Sequence, residues 1–390
     1  MKPVYYLTAF SFVNHTALAA ARVLVALYGV FLGASATVIG ILVALFALLP
    51  MLAAVPMGRL ADRRPARSLL TLLTLTMSAG LLVPYFWQHT AALFITGTMV
   101  GGAYFAINIL TSTLAGRHGG PGERAANFSW VNLGIAAGNG VGPLLAGFAI
   151  DHIGFRAAVL CVAFFPLLSL MLILFNRLPE LDSLPRQPKP GAKRGSVMEL
   201  LMHPEMFPVY MVGIYFMLSW DIFLVMTPVY GAELHISASN IGVIVSAYSL
   251  AVFVVRVLTV PLSRLFTPWQ IMLLSLGLSA VAMLGYGLVG TVPLMILCAF
   301  VLGFGQGLGT PMAQTALFDC SPPDRYSEAL GLRVSVGMAC QFVLPLIAGS
   351  AASLIGIAPI FWLVGVILLV GTYLERHRWN SKVGTGTGSN

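Results

Sequence analysis

Charge is what this chain has least of. Asp, Glu, Lys and Arg together make up 9% of its 390 residues. A soluble domain carries about 25%, so this chain could not cover a water-facing surface and a soluble fold is excluded. Acids are scarcer than bases, 13 against 21, yet the basic excess does not form a nucleic-acid surface. Its lysines and arginines sit in short connections beside long apolar runs. Cysteine is also sparse. Cys161, Cys298, Cys320 and Cys340 show no CxxC spacing and lie in or at the end of apolar segments, which reads as buried thiols. No HExxH is present and the seven histidines are scattered, so neither metal nor cofactor is expected. An intramembrane enzyme would need a nucleophile with its base, or such ligands. A receptor would need long extramembrane loops or a signalling domain. Neither pattern is found.

What is abundant is hydrophobicity: 58% of residues and a mean hydropathy of +0.91. A helical span needs roughly 20 apolar residues. The runs predict spans at about 6–32, 37–57, 69–87, 91–115, 127–150 and 156–176, then 207–231, 238–262, 268–288, 292–318, 328–354 and 358–375. The fold class expected is all-α integral membrane, twelve helices in two six-helix bundles. The bundles are 1–176 and 207–376, with a Pro-, Gly- and charge-rich cytoplasmic linker at 177–206 and a disordered cytoplasmic tail at 377–390. The first span resembles a signal peptide, but Asn14, His15 and Arg22 interrupt its apolar run.

The chain is written twice. Gly142-Pro143-Leu-Leu-Ala-Gly147 returns as Leu344-Pro345-Leu-Ile-Ala-Gly349, an offset of 202 residues. The same offset pairs Tyr28-Gly29 with Tyr230-Gly231, Ile39-Gly40 with Ile241-Gly242, and Ile153-Gly154 with Ile355-Gly356. Two long apolar helical repeats joined by a polar linker describe a transporter whose halves rock against each other. Charge gives the orientation. Only Arg156 falls in an odd-numbered connection, and Arg22, Arg256 and Arg333 lie within spans. The other lysines and arginines occupy even-numbered connections and both termini, which places both termini in the cytoplasm of a multi-pass cell-membrane protein.

After the second span comes Gly58-Arg-Leu-Ala-Asp62-Arg63-Arg-Pro-Ala-Arg67, a tight basic turn with one acid. Asp62 can pair with a basic neighbour or cap a helix of the opposite half, and Gly58 lets helix ends approach. This segment resembles the signature loop of the major facilitator superfamily, G-x-L-A-D-R-x-G-R-K. Gly58, Leu60, Ala61, Asp62, Arg63 and Arg67 match, while Pro65 and Ala66 depart from it. The resemblance extends over nearly the whole chain through its length, repeat and linker. It implies alternating access around a central site and gating by the loop. Gly138-Asn-Gly-Val-Gly142-Pro143-Leu-Leu-Ala146-Gly147 is similar to the family's antiporter signature, with Ala146 in place of one glycine. Its physical content is a kinkable helix packed closely at the interface between halves. In the family it accompanies proton-coupled export. The arginine that drug–proton exporters often carry in the fourth span is absent here, so a proton mechanism would need another residue.

Ionisable groups within spans are costly and need a reason. Arg22 lies mid-span in the first helix and Asp221 in its repeat partner, the seventh. The family fold would bring both to the central cavity. Arg22 could then hold an anionic substrate group and Asp221 carry a proton; a purely structural Arg–Asp pair is the alternative. His15 shares Arg22's helix face and could relay protons, or be a bland hydrogen-bonded histidine. Tyr104 and Asn108, four apart, suit solute binding, as do Trp220 and Gln306; packing is the plainer reading for each. Asn139 and Gln341 are repeat mates expected to bridge the halves. Arg256 and Arg333 fit a cytoplasmic gate or a structural role better than substrate contact. The alternating glycines Gly303, Gly305, Gly307 and Gly309 point to close helix approach rather than a phosphate loop.

The expected activity is secondary transport of a small organic solute, with protons as coupling ion and export as the direction. Uptake of an organic anion such as a carboxylate is the alternative. A monomer in the bilayer, without nucleic acid, is expected.

Overall fold

The computed structural model describes residues 3–61, 65–117, 124–175, 202–203, 205–320 and 326–384. Among these residues the structure is helical and without strands. In chain order the helices are α1 (Pro3–Phe31), α2 (Ala36–Ala61), α3 (Ala66–Phe86), α4 (Thr90–Arg117), α5 (Arg124–Phe175) and α6 (Met206–Glu233). They continue as α7 (Ala238–Leu265), α8 (Pro268–Tyr286), α9 (Val292–Cys320), α10 (Tyr326–Ile355) and α11 (Ala358–Gly384). Ten described stretches are long and apolar enough to cross a membrane. One of them, Trp130–Phe175, holds the expected fifth and sixth spans, turned at Gly154. Ala36–Pro50 is the described apolar part of the expected second. Outward-facing Leu72, Phe164, Leu174 and Leu363 are exposed, which suits lipid and not water.

Two connections show the repeat in backbone detail. Gly154 and Gly356, repeat mates, carry φ of 77° and 87°. That left-handed region is open to glycine at no steric cost and lets one helix end and the next begin within a residue or two. Gly33 and His235 are also mates, with φ of 76° and 55°. The same three hydrogen bonds close each turn: Leu32, Gly33 and Ala34 donate to Tyr28, Val30 and Gly29, and Leu234, His235 and Ile236 to Tyr230, Ala232 and Gly231.

The chain forms two compact units. The first comprises Met1–Gly191 with Thr227–Ser246 and Pro345–Ser350; the second comprises Ala192–Met226, Ala247–Leu344 and Ala351–Asn390. The first unit thus takes the end of α6, the start of α7 and one turn of α10 from the C-terminal repeat. Within it α1 is the central helix, 89% buried over its most apolar stretch against 44% for α3. Glycines set the spacing. A Cβ on Gly142 would lie 2.7 Å from the carbonyl oxygen of Thr16, and one on Gly138 2.8 Å from the amide nitrogen of Thr16, so α5 packs on α1 backbone to backbone. Gly101 does the same for α4 against Phe46 of α2. In the second unit its mate Gly303 meets the carbonyl of Tyr248, itself the mate of Phe46. The alternating run splits by face: Gly303 and Gly307 admit α7, while Gly305 and Gly309 admit α8 and Phe216 of α6. Close approach is therefore what that run provides.

The last helix continues through Gly384, beyond the boundary expected at 376. The Arg378 guanidinium binds the buried Glu375 carboxylate at 2.7 Å and lies over the Phe207 ring, 5.6 Å from its centroid. These contacts extend α11 past its apolar part. Residues 385–390 and nearly all of the linker lie outside the described residues.

Candidate functional site

Each unit encloses one polar cluster among apolar helices. In the first, α1 contributes His15 and Arg22, α4 contributes Tyr104 and Asn108, α5 contributes Asn139, and α2 contributes Phe46. His15 Nδ1 and the Tyr104 hydroxyl are hydrogen-bonded, and Asn108 Nδ2 donates to the same hydroxyl oxygen at 3.3 Å. A further hydrogen bond joins His15 to Asn139. The tyrosine hydroxyl thus joins Asn108 to the His15 ring. The Arg22 guanidinium lies 5.9 Å from the centre of the Phe46 ring, and its charge acts on both His15 and Tyr104. Asn14 fixes this part of α1 by donating to Phe10 and to Ser169 Oγ, the latter at 2.7 Å. The four residues expected on this side of the site, His15, Arg22, Tyr104 and Asn108, come together. Asn139, expected to bridge halves, is hydrogen-bonded to His15 of this group.

In the second unit the cluster is built from Ser219, Trp220 and Asp221 of α6, Tyr248 of α7 and Gln306 of α9. Tyr248 donates to Gln306 Oε1 at 2.8 Å, and Gln306 Nε2 donates to Ser219 Oγ at 2.7 Å. Ser219 in turn donates to the carbonyls of Tyr215 and Phe216, both at 3.1 Å. Trp220 and Tyr248 stack at 4.4 Å between ring centres, with Phe223 on Tyr248 at 5.5 Å. Asp221 is buried at 4% exposure, and its charge acts on Tyr248 and on Cys340 of α10. The expected residues Trp220, Asp221 and Gln306 are gathered here. Tyr248 and Ser219 were not expected. The signal for Tyr248 was available in the repeat, since it occupies the position of Phe46 beside the close crossing at Gly101. The same offset makes Tyr104 and Gln306 mates, so each unit places its central hydrogen-bonding group at the same point.

The gating residues are more dispersed. Arg67 Nη1 donates to the carbonyl of Ile173 at 2.6 Å, tying α3 to the last turn of α5, where helix carbonyls lack intrahelical partners. Gly58 belongs to α2, while Asp62 and Arg63 lie outside the described residues. Arg256 belongs to α7, and its side chain is likewise outside the description. Arg333 lines a small cavity between α6 and α10 with Tyr210, Gly213, Ile214, Met217, Val336 and Gly337. Gly142 serves the α1 crossing, while Pro143 presents its carbonyl to Gly242 at the start of α7. Among the described residues no group of His, Cys, Asp and Glu is arranged to hold a metal.

The sequence model of the major facilitator superfamily matches residues 7–233 and again 209–386, one match for each repeat. The chain belongs to the major facilitator superfamily. Its ten long apolar stretches accord with a multi-pass membrane protein of that superfamily. An uncharacterized MFS-type transporter of Mycobacterium tuberculosis is 32% identical over 169 residues, which is 42% of this chain and only 29% of that relative's length. Among solved structures, a POT family transporter in complex with 5-aminolevulinic acid superposes with a TM-score of 0.79 at 15% identity, covering 95% of each chain. A bacterial homologue of the human lysosomal transporter Spinster, inward-facing and unoccupied, gives 0.75 at 12% identity over 96% of this chain and 97% of that one. At such identities the likeness is one of fold.

Proposed function

We propose that this superfamily member exports a small organic solute in exchange for protons by alternating access, with Asp221 as the proton-carrying group. The observation that carries the reading is Asp221 itself, a buried carboxylate beside the Tyr248–Gln306–Ser219 chain. An ionised group at membrane depth costs about 3 kcal/mol or more, a cost that a carboxyl escapes while it carries a proton. Tyr248 donates to Gln306 and Gln306 to Ser219, which stiffens the wall beside the carboxylate and the Trp220 ring. Export rather than uptake follows the likeness of residues 138–147 to the antiporter signature. Both termini are assigned to the cytoplasm by the distribution of lysine and arginine, and the working unit is a monomer.

A second reading, proton-coupled uptake of an organic anion, draws on Arg22. Its guanidinium, with His15, Tyr104 and Asn108 nearby, is suited to a carboxylate. One experiment separates the two. Purified wild type, Asp221→Asn and Arg22→Gln are compared in proteoliposomes under an imposed pH gradient, with solutes first chosen by thermal shift from anions, zwitterions, sugars and lipophilic cations. Asp221→Asn is expected to fold and bind but to lose gradient-driven movement; unchanged gradient dependence removes Asp221 from the mechanism. Stabilisation by anions that disappears in Arg22→Gln supports the anion reading, whereas equal stabilisation of both proteins by lipophilic cations rejects it.

A further inference from the structure

The first unit contains the same helix crossing twice. Gly40 of α2 packs on the carbonyl of Pro345, and its mate Gly242 of α7 packs on the carbonyl of Pro143, the mate of Pro345. Gly349 lies against Ala36, where an added Cβ would be 2.6 Å from the carbonyl oxygen; its mate Gly147 lies against Ala238. Either crossing brings the start of a helix from one repeat against a proline-bearing helix of the other.

They differ in the side chain at one end. Asp151, one turn beyond Gly147 on α5, reaches the N-terminus of α7. Its Oδ1 accepts from the Ala238 amide at 3.1 Å and its Oδ2 from the Ser239 amide at 2.7 Å. The Ser237 hydroxyl adds a further hydrogen bond. Two of the first N–H groups of α7, which no helical carbonyl can satisfy, thus end on a carboxylate carried by the other repeat. At the equivalent crossing the position of Asp151 is occupied by Ser353, and the bond there is a neutral one from Thr37 Oγ1 to the Gly349 carbonyl at 3.4 Å. Below Asp151 the same crossing is joined by Ser246 Oγ donating to the Gly140 carbonyl at 2.6 Å.

We propose that Asp151 is a gating residue of the transport cycle: a charged latch that holds the paired crossings closed by capping α7, and whose release lets both crossings part together. Four features support this role. The carboxylate belongs to one repeat and the amides to the other, so the bond exists only while this end is shut. The residue is exposed, so letting go does not drag a charge through lipid. The helices it joins pack closely through glycine and can separate cleanly. Finally, Asp151 supplies a charged hydrogen bond at a position where the equivalent crossing carries the neutral Ser353.

The test is hydrogen–deuterium exchange on purified full-length protein, wild type against Asp151→Asn, Asp151→Glu and Ala238→Pro. The last removes one amide donor while leaving the carboxylate, and proline is tolerated at the first position of a helix. It therefore serves if the Asp151 variant folds poorly. A latch predicts exchange faster by roughly fivefold in Asp151→Asn and in Ala238→Pro, both at 236–246 and at the untouched crossing, 34–42 and 343–352. Asp151→Glu should restore protection at both. Faster exchange confined to the first turn of α7 would mean a local cap and overturn the proposal, as would no change anywhere.

Discussion

At the scale of single residues, the second unit shows how one amide can organise a polar cluster in an apolar helix bundle. Gln306 uses its oxygen for Tyr248 and its nitrogen for Ser219, so removing either neighbour leaves a buried half-amide unsatisfied. Such a group costs about 1–3 kcal/mol. Tyr248→Phe and Gln306→Leu should each lower the melting temperature in detergent, and the double variant should lose clearly less than the sum, because the second change removes a partner already orphaned by the first. Additive losses would show that the two side chains do not act as a pair. Asp221, Arg22, His15 and Tyr104 were legible in the sequence because polar groups within apolar runs announce themselves. Tyr248 was not, since an aromatic residue in a membrane span reads as packing until its hydroxyl is seen to meet Gln306. The partner of Asn139 was hidden for a similar reason: the repeat offset pairs it with Gln341 but cannot say that His15 is its neighbour.

At the scale of elements, glycine decides which helices touch. Gly101 and Gly303 sit at the same point of the two repeats, each against the carbonyl of an aromatic residue, Phe46 or Tyr248. A methyl group at either must push backbone apart, with overpacking costs of about 1–3 kcal/mol. Gly101→Ala and Gly303→Ala should therefore destabilise to similar extents, measured as thermal unfolding of the detergent-solubilised protein. A harmless substitution at one of them would show that its crossing is looser than its mate's. The number and order of spans could be read from hydropathy, and the glycine run from its composition. The extent of α11 was not read, because residues 377–384 look like a polar tail, although Arg378 pairs with Glu375 one turn earlier and lies over the Phe207 ring. The turn between the two spans of α5 rests on the left-handed backbone of Gly154, which the sequence allows without requiring it.

At the scale of the whole molecule, the distribution of basic residues carries a prediction of its own. Epitope tags at both ends should be cleaved by protease only in inverted vesicles; cleavage of either in right-side-out cells would reverse or break the topology argued from charge. The repeat was the most informative part of the sequence, and the structure reproduces it in its turns, its left-handed residues and its glycine crossings. What it did not convey is the grouping of Thr227–Ser246 and Pro345–Ser350 with the first unit, since that follows from backbone contacts at the helix ends and not from segment order. Those crossings have a consequence for ancestry. Gly40 on Pro345 and Gly242 on Pro143 are one contact made twice with the roles exchanged, which is the arrangement of a two-fold homodimer interface. A surface of that kind is complementary to its own copy. A duplicated six-helix segment would therefore carry a fitting partner from its first generation, and Asp151 against Ser353 is a place where the two copies now differ at that contact.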